Sequence, residues 1–257
     1  MNVRLPALLA AAIALLTATG AAQRVVLPGA TGGITPAPGW TVLRKAELDA
    51  ATRPTDPASE PGRTLLMAAI AELRQNNLTD EQILLHQQGS AAGQLRLVQA
   101  YSAEGGATTD ELLTESAIQN VRDVLEPALA TGGTVAFVGS ERLELLQPAG
   151  VRLAFTLDGG ALQLQHDHVL IPAGERLQYF DCTFDRADVG AREALEALIG
   201  TFDGAREVES RSRGLWIGGI AGALAGIVAA LARSKRKARA IVGGGGTTGS
   251  GGGGAAG

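Results

Sequence analysis

The chain reads as an α+β protein: an antiparallel β-sheet packed with helices as an α/β/α sandwich, followed by one C-terminal transmembrane helix. Between Trp40 and Phe202, stretches with apolar residues at every second position alternate with stretches at helical spacing. Consecutive strand-like stretches are joined by short turns rich in Gly, Pro and Asp, which favours an antiparallel meander. The two long helical stretches each have one apolar face, and each must bury it against the sheet.

Taken in order, Arg4 precedes the apolar run Leu5 to Leu16, and Thr19-Gly20-Ala21-Ala22 supplies the small residues beside which a signal peptidase cuts. Residues 1–22 read as a signal peptide, with an uncleaved anchor as the alternative; an apolar run of about 12 residues is short against the roughly 20 a bilayer demands. Residues 23–209 then form one extracytoplasmic domain. Gly29 to Gly39 is a Gly/Pro-punctuated loop, Trp40 to Arg44 a strand, and a Pro-rich loop runs on through Gly62. Leu65, Leu66, Ala69, Ile70 and Leu73 fall at helical spacing. Ile83 to Gln88 and Gln94 to Ser102 read as a strand pair around the Gly89 to Gly93 turn.

Thr108 and Glu111 have the spacing of a capping box, and Leu112, Ala117, Val121, Val124, Leu125 and Leu129 line one side of a single long helix. Four strands are expected next, at Val135 to Val138, Arg142 to Gln147, Val151 to Leu157 and Leu162 to Ile171, and a fifth at Leu177 to Phe184. Asp158-Gly159-Gly160 and Pro172-Ala173-Gly174 are the turns. Asp188 stands where it can cap a last helix, in which Leu195, Leu198, Ile199 and Phe202 share a face.

Gly214 to Ala232 is free of charge and long enough to cross a bilayer as a helix. Arg233, Lys235, Arg236, Lys237 and Arg239 follow at once, against Arg211 and Arg213 before it, which places the C-terminus in the cytoplasm and the main domain outside. The expected location is therefore a cell membrane, with a single pass and the domain at a bacterial periplasm or cell surface. Gly218, Gly222 and Gly226 recur every four residues on one face of the span. Either they form a close-approach face for a homodimer, or an Ala/Gly-rich composition generates the spacing by chance. Residues 233–257 are a basic, then glycine-rich, tail without apolar periodicity.

All 26 acidic residues lie between Glu47 and Glu209, against 14 basic residues between Arg24 and Arg206, a balance of −12. That surface repels phosphate backbones and argues against nucleic acid; it suits a basic protein partner. Cys182 is the only cysteine, so no intrachain disulfide forms. Alternation puts Phe180, Cys182 and Phe184 on one face, and the thiol reads as a small buried hydrophobe.

From Thr108 to Phe202 the order of elements resembles the PsbP/Mog fold family, including its small exported bacterial members. The resemblance rests on the segment Leu170-Ile171-Pro172-Ala173-Gly174-Glu175-Arg176-Leu177-Gln178-Tyr179-Phe180-Asp181-Cys182-Thr183-Phe184 and on the closing Ile199-Gly200-Thr201-Phe202. Gly174, Tyr179, Ile199 and Phe202 fall on the family's positions, Thr201 stands where Ser is usual, and Gly39-Trp40 is similar to the pair that opens the first strand in many members. Trp40 to Ser102 matches only loosely. The resemblance implies a protein that acts by binding, as Mog-type members bind the GTPase Ran and PsbP assists photosystem II. It carries over no catalytic residue and no cofactor.

His166-Asp167-His168 is the one constellation with ligand potential, since two residues apart on a strand put both imidazoles on one face about 7 Å apart. Two readings stand: two ligands of a metal site whose third is unseen, or structural histidines at the damp margin of the core, where Leu162, Leu164 and Leu170 share their parity. His86 is the only other histidine. The sequence shows no nucleophile elbow, H-E-x-x-H, phosphate loop or CxxC, so enzymatic function is disfavoured. The leading expectation is a noncatalytic, membrane-anchored binding or accessory protein. The alternatives are a metal-binding protein or metal-dependent enzyme using His166 and His168, and an envelope structural protein that self-associates through its transmembrane helix.

Overall fold

Apolar residues of both parities in the stretches around residues 164–184 leave those strands no solvent face, and they occupy the middle of the sheet. The computed structural model describes residues 23–51, 61–130, 133–159 and 163–208. The signal peptide expected at 1–22, the span expected at 214–232 with its glycine face, and the tail at 233–257 lie outside the described residues. No helix among the described residues is long and apolar enough to cross a membrane.

Strands β1 (Val25–Val26) and β2 (Gly33–Ile34) pair on their own. The main sheet holds β3 (Thr41–Leu43), β4 (Gln82–Gln88), β5 (Leu95–Glu104), β6 (Thr134–Leu143), β7 (Gly150–Asp158), β8 (Gln163–Ala173) and β9 (Arg176–Asp185). Its order is β3-β4-β5-β9-β8-β7-β6, and every pairing is antiparallel. Two meanders, β3 to β5 and β6 to β9, are joined where β9 returns beside β5. The β8–β9 hairpin turns at Gly174-Glu175, and Gly174 takes φ +72°, a conformation that costs a side-chain-bearing residue and not glycine.

Helices α1 (Lys45–Ala50), α2 (Pro61–Gln75), α3 (Thr109–Leu112) and α4 (Glu115–Leu129) cover one face of the sheet. There Leu48, Ala69, Leu73, Leu112, Val121 and Leu125 pack onto Leu84, Leu97, Leu153, Phe155, Leu170 and Tyr179. Helix α5 (Ala191–Ile199), Phe202 and the β1–β2 hairpin cover the other face, against Val98, Val169, Ile171, Phe180, Cys182 and Phe184. Cys182 is buried as expected, and burial pushes its thiol pKa up.

Three expectations are corrected. The helix read as continuous from Thr108 to Leu129 is two helices. Thr108 does form the capping box with Glu111, but Thr114 then starts α4 by accepting from the Ala117 N–H. The strands expected at Val135 to Val138 and Arg142 to Gln147 are one strand, β6, with a bulge between Phe137 and Gly139. The bulge reverses parity, so that Val135 and Phe137 face the α4 side whereas Leu143 joins the α5 side and Val138 is left exposed. Asp188 does not cap the last helix. Gly190 is the N-cap, and the Asp188 carboxylate instead takes Arg96 Nε at 2.7 Å and Nη2 at 2.9 Å.

Candidate functional site

In β8, Leu164, His166, His168 and Leu170 point toward the four-helix side; in β9, Leu177, Tyr179, Asp181 and Thr183 do the same. The β8–β9 register sets His166 opposite Thr183 and His168 opposite Asp181. On the far side of β9, Gln99 of β5 lies opposite Asp181 and Tyr101 opposite Tyr179. One polar patch therefore crosses three central strands beneath the helices.

The structure brings both predicted histidines together and adds a third group. His166, His168 and Asp181 each offer one ligand atom, and these lie within 4.8 Å of one another. The expected position at the margin of the core is corrected: His166 is 1%, His168 0% and Asp181 1% exposed. Both faces of β8 and β9 are covered by helices, so the two histidines lie away from any edge. His86 is no part of the patch. It sits on β4, three strands from His166 along the row through Leu97 and Thr183, about 14 Å away at ordinary strand spacing.

The hydrogen bonds are incomplete. His168 Nδ1 lies 2.5 Å from Asp181 Oδ1, and His166 Nδ1 lies 3.0 Å from Thr183 Oγ1. The Nε2 atoms of both histidines, Asp181 Oδ2 and the Tyr179 hydroxyl are buried with no hydrogen-bond partner among the described residues. Each such atom costs on the order of 1–3 kcal/mol relative to a satisfied one. Burial drives the His166 pKa down to about 4, against a smaller opposing pull from Asp181, so this imidazole stays neutral and keeps a lone pair for a ligand. Burial, reinforced by the Asp181 charge, pushes the Tyr101 hydroxyl well above its ordinary pKa. Tyr101 and Tyr179 are stacked with ring centroids 4.8 Å apart.

The reading from sequence missed Asp181, Thr183, Tyr101 and Tyr179. It took Phe180, Cys182 and Phe184 as one face of β9 and Cys182 as buried, which is correct, named Tyr179 only for the family resemblance, and gave Asp181 and Thr183 no place at the site. The usable signal is the central place of β8 and β9, where strands bury both faces. Asp167, between the histidines, points to the opposite layer. There it accepts from Gln165 Nε2 at 2.7 Å and lies 3.9 Å from Arg152, and burial raises its pKa. Arg152 also reaches Glu196 of α5 at 2.7 Å and pairs with Glu141 of β6. This network ties α5 and an edge strand to the sheet.

No family model matches the chain, and no curated protein matches it. Among solved structures, the solution structure of cyanobacterial PsbP (CyanoP) from Synechocystis is similar over 72% of this chain and 94% of that one, at 13% identity and a TM-score of 0.43. A crystal structure from Bacteroides thetaiotaomicron is similar over 72% of this chain, at 9% identity and a TM-score of 0.35. The chain spans about half of that second protein, 49% of its length. Cyanobacterial PsbP bears the name of the family that residues 108–202 resemble. Neither that resemblance nor the structural likeness extends to an activity, a ligand or a partner.

Proposed function

We propose that the chain is a noncatalytic binding or accessory protein: an acidic, exported domain of the PsbP/Mog type, held at a membrane by residues 214–232 and engaging a protein partner. The enclosure of His166, His168 and Asp181 carries the noncatalytic reading. A general base must come within about 3 Å of the proton it takes, and these atoms lie under a helix layer that a substrate would have to displace. The acidic balance of residues 24–209 suits a partner with a basic surface. A second reading, a metal-binding protein, is favoured by the unpartnered Nε2 atoms of His166 and His168 beside Asp181.

The test uses the full chain with a C-terminal tag and a chain stopped after Glu209. Protease added to spheroplasts is expected to digest the full chain's domain and leave the tagged tail intact, and the stopped chain is expected in the soluble extracytoplasmic fraction. A stopped chain that stays with the membrane, or a digested tail, overturns the anchored topology. Crosslinking in the native membrane is expected to trap one recurrent protein whose yield falls several-fold as salt rises past about 0.15 M, where charges are screened within about 8 Å. A yield indifferent to salt overturns the acidic surface as the point of contact.

A further inference from the structure

The β8–β9 register alone brings His166, His168 and Asp181 to one spot, with their ligand atoms within 4.8 Å of one another and at most 1% of any of the three residues exposed. We propose that these residues bind one divalent transition-metal ion of the zinc class, and that the ion enters as the chain folds and is then sealed in. The sealing rests on the metal-binding reading of this site and deepens it.

The lone pairs point to the ion. In the tautomers where His168 Nδ1 donates to Asp181 and His166 Nδ1 donates to Thr183 Oγ1, both Nε2 atoms carry lone pairs, and neither they nor Asp181 Oδ2 have a hydrogen-bond partner among the described residues. A cation meets several converging lone pairs at once. Metal–nitrogen and metal–oxygen bonds of about 2.0–2.2 Å set ligand atoms roughly 3.3 Å apart in a tetrahedron, and one ligand atom of each of the three residues lies within 4.8 Å of the others. Thr183 holds the His166 ring through its other nitrogen, the support that metal-bound imidazoles commonly have.

The donor set selects the class. Two imidazoles and one carboxylate suit Zn(II), Co(II) or Fe(II), whereas Ca(II) and Mg(II) take oxygen ligands.

The surroundings decide the route. The tilted rings of Phe155 and Tyr179 lie 6.4 and 5.6 Å from those of His166 and His168, within a core that Leu125 and Leu129 of α4 help close. Ligand exchange requires the helix layer to open, so loading and release follow the opening of the fold.

The experiment uses the full chain in detergent, purified without a polyhistidine tag, and Co(II) as probe. Chain unfolded with chelator and refolded with Co(II) is expected to keep close to one equivalent through gel filtration in chelator, with visible ligand-field bands. Folded, metal-free chain mixed with Co(II) is expected to load at least about a hundredfold more slowly, at the rate of its own opening. Less than about 0.1 equivalent retained after refolding with Co(II) overturns the site and the metal reading together. Uptake by the folded chain within the mixing time overturns the sealing alone and leaves the site standing. The paired substitution His166→Ala with His168→Ala is expected to abolish retention, and His86→Ala to leave it unchanged; equal loss in both overturns the assignment to β8. Should the paired variant fail to fold, the equivalents retained by the unmodified chain still decide the question.

Discussion

Replacing Asp188 by asparagine separates two jobs that its position allows. As a helix cap, asparagine serves as well as aspartate, and the change costs close to nothing. As the partner of Arg96 it is a different matter. The Asp188 side chain is 0% exposed and takes Arg96 Nε at 2.7 Å, Arg96 Nη2 at 2.9 Å and the Ser90 N–H at 3.2 Å. The Arg96 guanidinium holds its carboxyl down from 3.8 to about 2. A drop of that size corresponds to roughly 2 kcal/mol of stability. Because the folded pKa is depressed, that stability is present in full above about pH 4 and is lost as pH falls through about 2. Asp188→Asn is therefore expected to lower the unfolding free energy by about 2–3 kcal/mol at pH 7, part of it from the guanidinium left half-satisfied. Equilibrium urea unfolding of both chains, followed by far-UV circular dichroism from pH 7 to pH 2, measures the gap. A gap under about 0.5 kcal/mol at pH 7, or one that persists unchanged at pH 2, refutes the ion-pair account.

Two further outcomes are expected. Gly174→Ala meets no atom within 4 Å of the new Cβ, so its cost is that of holding alanine at φ +72°, about 1 kcal/mol, read as a shift of the urea midpoint; an unshifted midpoint removes backbone strain as the reason for glycine there. Gly222→Ile is expected to weaken self-association of residues 214–232 in a membrane two-hybrid reporter, and unchanged association removes the glycine face from the account of the anchor.

The elements that local pattern governs were legible in the chain. The Gly89 to Gly93 turn, the Thr108–Glu111 capping box and the buried Phe180, Cys182 and Phe184 face each depend on residues within a few positions of one another, and each is found as read. The split of the helix after Leu112 is local, set by the Thr114 cap; the other misreadings share a long-range cause. The bulge after Phe137 inverts a parity that one strand alone implies is continuous, and it answers to two different layers on the two faces of the sheet. Asp188 is a sound cap by position, but Arg96, 92 residues away, binds it with two hydrogen bonds where a cap has one. At the candidate site, His166 and His168 stood out because they are two apart on one strand. Asp181 did not, because only the pairing of β8 with β9 makes it their neighbour.

By itself the sequence determined the α+β class, the acidic balance of residues 24–209, the fate of its one cysteine and the shared face of the two histidines. All of these follow from composition and from periods of 2 and 3.6 residues. Only the tertiary structure decided that β9 lies between β5 and β8, that both faces of the central strands are closed, and that Asp181 meets the histidines out of water. Burial and cross-strand distance belong to pairs of segments remote along the chain. Apolar residues of both parities mark a strand with two covered faces, but the pattern within one segment does not name the segments that cover it or the residue that stands opposite.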